Sequence, residues 1–219
     1  MKKIIGILLL LLLVAAGGAW YFLTFRLDGV IRQQIEQVAE RSLGTEVRVG
    51  AVRTDLKNGS LTISDIEIAN PAGFRNPNAL TLRGIEAAVD YGTLEVRRVV
   101  IENPEMVIEE IDGDTNIDRL LRAAEQDVTS PQDDSAAPPV IVIHHFRMNS
   151  SRAALESTTL DLYTDLRVDT VELREIRGTP QEVGQQIARE ILDEAAKAAA
   201  IELMKAKAAQ KLDQLFNRD

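Results

Sequence analysis

Residues 61–68 read Leu-Thr-Ile-Ser-Asp-Ile-Glu-Ile. Leu61 and Ile63 share one alternation phase, Ile66 and Ile68 share the other, and Ser64-Asp65 separates the pairs. The spacing recurs in Leu80-x-Leu82-x-x-Ile85-x-Ala87, in Leu94-x-Val96-x-x-Val99-x-Ile101 and in Leu166-x-Val168-x-x-Val171-x-Leu173. The slip residues there are Arg83-Gly84, Arg97-Arg98 and Asp169-Thr170. Side chains of a regular strand alternate between faces, so such a slip throws the second apolar pair into solvent. A β-bulge absorbs one residue, restores the face and bends the strand. Repeated at similar positions, bulges curl a sheet around its apolar side. The expected fold is therefore α+β, with a curled, mostly antiparallel β-sheet and an apolar concave face. A flat strand buried on both faces is the alternative reading.

Flanking signals place the other elements. Residues 28–43 form a helix capped by Asp28, with a stripe of Ile31, Ile35, Val38 and Ala39, and Gly44 ends it. Strands are expected at 46–54, 60–69, 79–90, 93–102 and 105–111, with a hairpin at Asn58-Gly59. Asn70-Pro71-Ala72-Gly73 and Asn103-Pro104 read as turns, and 116–125 as a short helix. Residues 127–139 have linker composition. Strands resume at 140–149, 152–163 and 165–177. Thr179-Pro180 then opens a helix that runs to about Phe216. The organisation is an anchor at 1–26, a juxtamembrane helix at 27–44, a curved sheet domain at 45–178 with a loop at 127–139, and a C-terminal helix at 179–219.

The anchor is read from 22 uncharged residues, Ile4 to Phe25, which as a helix span about 33 Å, enough for a hydrocarbon core. Lys2 and Lys3 precede the run and Trp20-Tyr21 sits near its far end. The positive-inside rule then puts the N-terminus in the cytoplasm and the body across the membrane. A cleaved signal peptide competes through Gly17-Gly18-Ala19, although the apolar run continues past that point. Either reading exports the body.

The 219 residues carry 25 Lys+Arg, 34 Asp+Glu and no Cys. The absence of Cys excludes disulfide frameworks, thiolate metal sites and cysteine nucleophiles. A net charge of −9 argues against nucleic-acid binding. No G-x-S-x-G, H-E-x-x-H or Walker A loop is present. His144 and His145 are neighbours on a strand and are expected on opposite faces, one in and one out. The acidic run Glu102, Glu105, Glu109, Glu110, Asp112 and Asp114 reads as a solvated strand edge and turn rather than a cation site. No catalytic residue, metal or cofactor is expected.

The order of several short motifs carries a resemblance. The anchor and juxtamembrane helix lead to Leu43-Gly44-Thr45-Glu46-Val47-Arg48-Val49-Gly50 and then to Gly59-Ser60-Leu61-Thr62-Ile63. Asp65-Ile66-Glu67-Ile68-Ala69-Asn70-Pro71-Ala72-Gly73-Phe74 follows, and residues 99–121 continue the pattern. This resembles the N-terminal region of the AsmA-like family of bacterial envelope proteins, over a little more than half the chain. The resemblance implies an inner-membrane anchor and a periplasmic body whose curled sheet forms an apolar trough. Large members are implicated in outer-membrane assembly and in moving phospholipid between membranes. This chain is much shorter. About eight strands at ~4.8 Å give a trough of roughly 40 Å, enough for an acyl chain or two but not for a conduit between membranes.

The expectation is a non-enzymatic, membrane-anchored periplasmic protein that shields or handles lipid. Its acyl-chain contacts would be Ile63, Ile66, Ile68, Leu82, Val96, Val99 and Ile101. Its partners would be the bilayer through residues 4–25, phospholipid acyl chains and other envelope proteins, with no nucleic acid. The alternative is a non-transporting scaffold that recruits envelope partners through its C-terminal helix. That helix carries Val183, Ile187, Ile191, Ala195 and Ala198 on one stripe and Leu212, Leu215 and Phe216 in a second patch. At about 55 Å it exceeds the sheet, so one end is expected to project.

Overall fold

The computed structural model describes residues 27–126, apart from 91 and 94, and residues 140–216. The apolar run 4–25 with Lys2, Lys3, Trp20 and Tyr21, the loop 127–139 and Leu94 of the repeated motif lie outside the described residues. Among the described residues no helix is long and apolar enough to cross a membrane.

Helix α1 (27–43) ends at Gly44, whose φ of 64° closes it. The strands are β1 (Val47–Val49), β2 (Val52–Asp55), β3 (Ser60–Ala69), β4 (Asn78–Asp90), β5 (Glu95–Ile111) and β6 (Asp114–Thr115), followed by α2 (Asn116–Gln126). Then come β7 (Ile141–Met148), β8 (Ser151–Ser157), β9 (Leu162–Val168), β10 (Val171–Gly178) and α3 (Pro180–Phe216). All ten strands join one open, curled, mixed sheet. β1 and β2 lie end to end along β3, which pairs with β4, and β4 with β5, all antiparallel. β7 and β8 lie end to end along β5 and run parallel to it, and β10 and β9 complete the far edge.

The curl comes from creases that cross the sheet in line. Pairing skips the level of Ser64 and Gly84, yet Ile63↔Ile85 and Asp65↔Arg83 on either side keep one register. The same level breaks β1 from β2 at Gly50-Ala51, β7 from β8 at Asn149-Ser150 and β9 from β10 at Asp169-Thr170. Backbone hydrogen bonds from Gly50 to Asp65 (2.9 Å) and from Ser64 to Ala51 (3.0 Å) carry the sheet across it. A second crease lies five residues away on β5 and β7, where Arg97-Arg98 and His144-His145 form no pairs between Val96↔Ile143 and Val99↔Phe146. Glu175 continues it on β10 with a φ of 54°. Because neighbouring strands slip together on a crease, the phase change keeps their apolar rows on one side, and across the first crease it does so without a register shift. The expected bulges at the slip residues are thus corrected. Register does shift at Ile68/Ala69 and at Ala88/Val89, and of the slip pairs only Arg97-Arg98 adjoins such a shift.

Three further expectations change. Asn103-Pro104 is not a turn, since β5 runs through it and Pro104 pairs with Leu82. Pro104 lies between the last β7 partner, at Ile101, and the first β8 partner, at Glu105, so its missing N–H breaks no ladder there. Residues 152–163 and 165–177 are three strands rather than two. Leu160 N–H donates to Ser157 Oγ (3.0 Å) and Asp161 adopts a φ of 49°, which turns the chain between β8 and β9. His144 and His145 are not split between core and solvent. Both are part-exposed on the second crease, while Ile143 and Phe146 on either side are buried.

α3 begins with a capping box. Thr179 Oγ1 accepts from Glu182 N (3.3 Å), and Glu182 Oε2 accepts from Thr179 N (2.8 Å). Val183, Ile191, Leu192, Ala195 and Ala199 are buried along its first half.

Candidate functional site

The apolar face of the sheet is the candidate site. Ile63, Ile68, Leu82 and Ile101 are buried on it, and Ile66, Val96 and Val99 are part-buried and packed against the same core. The creases therefore bring all seven expected acyl-contact residues together. A further copy of the spacing, Ile141-x-Ile143-x-x-Phe146-x-Met148, contributes Ile143, Phe146 and Met148 to that core. The sequence contains this signal, but its pattern was obscured by the His144-His145 pair. The opposite face is polar, with Thr62, Glu86, Arg98, Arg147 and Glu172 exposed along it.

Helices cover the apolar face. α1 contributes Ile31, Ile35, Ala39 and Leu43, α2 contributes Ile117, Leu120 and Ala124, and α3 contributes its buried row. The position of α1 follows from its acids. Asp28 Oδ1 accepts from Thr54 N (2.9 Å) and Thr54 Oγ1 (2.6 Å). Glu36 Oε1 accepts from Val49 N (3.0 Å) and Glu40 Oε1 from Val47 N (3.3 Å). Side chains of one helix thus satisfy N–H groups on the outer edge of β1 and β2. α3 lies beside α1, since a Cβ at Gly184 would stand 3.5 Å from Val38 Cγ1. Arg189 Nη2 meets Glu125 Oε1 of α2 at 2.8 Å.

The acidic run is only partly solvated, and this too is a correction. Glu109 and Glu110 are 2% and 3% exposed. Glu109 accepts from Asn70 Nδ2 (2.9 Å), Arg75 N (2.9 Å) and Asn76 N (2.8 Å), which closes the loop after β3. Burial opposes ionisation of Glu110. Hydrogen bonds from the hydroxyls of Ser157 and Thr159 and from Gly113 N–H outweigh it and hold the carboxyl below its usual range. Arg122 and Arg119 lower the Asp114 carboxyl by hydrogen bonds at 2.8 and 2.9 Å. Asn116, fully buried, ties the region together. Its Oδ1 accepts from Glu109 N (3.0 Å) and Ile117 N (2.9 Å), while Nδ2 donates to Asn70 Oδ1 and Val107 O, both at 2.7 Å.

These acids therefore brace loops. An open depression of about 370 Å³ beside them is lined by Arg75, Glu110, Glu156, Asp161, Leu162 and Tyr163 among others. Among the described residues no three His, Asp or Glu side chains are grouped to hold a metal. His144 Nδ1 lies 3.2 Å from Glu175 and His145 Nε2 2.9 Å from Glu172, each on the exposed surface. No family model, curated protein or solved structure matches the chain.

Proposed function

We propose that the protein is a membrane-tethered envelope protein of AsmA-like type. In this reading the body is periplasmic, the N-terminus is cytoplasmic, and the creased sheet shields lipid acyl chains. One observation carries it: the long strands deliver most of their apolar side chains to a single face, while the other side is largely charged. The first half of α3 is the cover that yields to an acyl chain. Uncovering Val183, Ile191 and Leu192 costs roughly 5–9 kcal/mol at about 1.5–3 kcal/mol each. An acyl chain of about 16 carbons held on that face is kept from water, worth about 12 kcal/mol relative to a chain in water at about 0.8 kcal/mol per methylene, which is of the size needed to offset that cost.

The test uses the absence of native Cys. Arg189→Cys and Glu125→Cys, joined by a short bismaleimide, pin α3 to α2. Uptake of a fluorescent phospholipid should fall sharply on crosslinking. Unchanged uptake would remove α3 as the cover. A detergent-free body with no phospholipid by mass spectrometry and no uptake would reject lipid handling itself. The alternative, a non-transporting scaffold that recruits envelope proteins through its C-terminal helix, starts from the exposed second half of α3, and under it photocrosslinks from there would capture protein rather than lipid.

A further inference from the structure

Exposed large apolar side chains are unevenly distributed. Five of the nine among the described residues, Ile201, Met204, Leu212, Leu215 and Phe216, fall in the last 16 residues of α3. Their exposures run from 50% for Ile201 to 79% for Phe216. On a helix, Ile201, Met204, Ala208, Leu212 and Leu215 fall within an arc of roughly 80° at about 100° per residue. The buried row Ile191, Leu192, Ala195 and Ala199 lies on roughly the opposite side. The projecting half, about 24 Å long, thus turns an apolar stripe away from its own body.

Charge decides the occupant. Apart from His144 and His145, every basic residue from 58 to 196 is Arg, whereas every one from 197 to 216 is Lys. Lys205 and Lys211 border the stripe at roughly 60° on either side of its centre, and Lys207 lies at roughly 100° on the Lys211 side. The acids of this segment, Glu202 and Asp213, are more than roughly 100° from the stripe centre. Lys205 also reaches Glu202 at 2.7 Å on the exposed surface. Pairing this segment with a second copy through the stripe would set lysine against lysine and leave the acids out of reach. An anionic surface instead receives the stripe and both flanking rows of ammonium groups, whose long stems let the stripe sink below them. The whole chain carries −9, so this positive, apolar segment is the part such a surface would accept.

We propose that residues 201–216 of α3 lie on an anionic lipid surface, stripe inward and lysines at the headgroups. The docking does not require a lipid to enter the sheet, so it stands apart from the reading above. The contacts also say where that surface lies. α1 starts beside Thr54 and ends beside Val47, and α3 passes Val38 at Gly184 and Glu125 at Arg189. The projecting half therefore leaves the body at the end remote from residue 27.

The test takes the full chain in zwitterionic nanodiscs, with an environment-sensitive fluorophore on Met204→Cys, on Leu212→Cys or, on the far side of the helix, on Gln210→Cys. Phosphatidylglycerol vesicles carrying nitroxide lipid are added. Quenching is expected at positions 204 and 212 and not at 210, and phosphatidylcholine vesicles should give none. Lys205→Gln, Lys207→Gln and Lys211→Gln together should weaken vesicle binding about 100-fold, at about a factor of five per lysine, and added salt should weaken it too. The replaced side chains are exposed, so the fold is not at stake. Absence of quenching by phosphatidylglycerol would overturn the proposal. So would energy transfer between differently labelled chains without vesicles, which would assign the stripe to a second copy.

Discussion

Gly84 and Glu102 meet on the first crease without pairing, and a Cβ built on Gly84 would stand 3.2 Å from the Glu102 Cβ. Gly84 also has a φ of 65°, which an L side chain adopts only with strain. Gly84→Ala should therefore cost about 2–3 kcal/mol, because crowding adds to the backbone term. Gly113 is the control. Its φ is 86° and nothing lies within 4 Å of where its Cβ would stand, so Gly113→Ala should cost only about 1 kcal/mol. Urea denaturation of both variants checks the order, and equal costs would show that the crease does not crowd Gly84.

Asn116 predicts a larger loss. It is fully buried and meets four partners, two N–H groups and two carbonyl oxygens. Asn116→Ala would strand Glu109 N, Ile117 N, Val107 O and Asn70 Oδ1, for a loss of about 3–5 kcal/mol. Asn116→Asp keeps the size and both acceptor contacts but loses both donors, and should recover only part of it. Thermal denaturation of the two variants gives the comparison, with Ala expected to melt lowest.

Elements set by neighbours in sequence were legible in advance, and those set by distant partners were not. The α3 start at Thr179-Pro180, the α1 stop at Gly44 and the hairpin near Asn58-Gly59 depend on residues within a few positions of each other. The slip spacing was legible for the same reason. What it does to the sheet was not, because a crease needs Ser64, Gly84, Asn149 and Asp169 to fall at one level, and that depends on register between strands far apart in sequence. Pro104 misled because a proline inside a strand normally breaks a ladder, whereas here it falls in the gap between β7 and β8. Glu109 and Glu110 misled because acids are usually solvated. Nothing near them in sequence announces the donors at Asn70, Arg75 and Ser157. That the seven apolar residues share one packed face was legible because apolar phase is itself a local signal, while their helical cover was only partly legible.

The acids on α1 give a prediction about the sheet edge. Glu36 and Glu40 accept from Val49 N and Val47 N, which would otherwise face outward from an edge strand. Glu36→Ala with Glu40→Ala should cost about 1–2 kcal/mol per lost acceptor. Amide exchange at Val47 and Val49 should quicken by about 10-fold, consistent with local opening made easier by about that energy. The freed edge is also a template for strand addition, so the double variant should self-associate at concentrations where the parent does not. Hydrogen exchange with size-exclusion chromatography checks both, and unchanged exchange at the two amides would mean the carboxylates are not what protects them.

Glu110 is one of the carboxyls that tie the stability of the fold to pH. Its carboxyl is held below the usual value of 4.5, and that of Asp114 below 3.8, so both ionise more readily in the folded chain than in the unfolded one. The unfolded state then binds more protons in the window below those values, and stability must fall as pH drops through the folded pKa. The contribution is complete above about pH 5 and absent once both carboxyls are protonated in both states. Glu110→Gln removes the titrating group and puts an amide where Ser157, Thr159 and Gly113 all donate to carboxylate oxygen. The variant should be less stable near neutral pH and should lose less stability on acidification, so its curve approaches the parent's at low pH. Urea midpoints between about pH 7 and about pH 3 measure this, and parallel curves would mean that Glu110 titrates alike in both states.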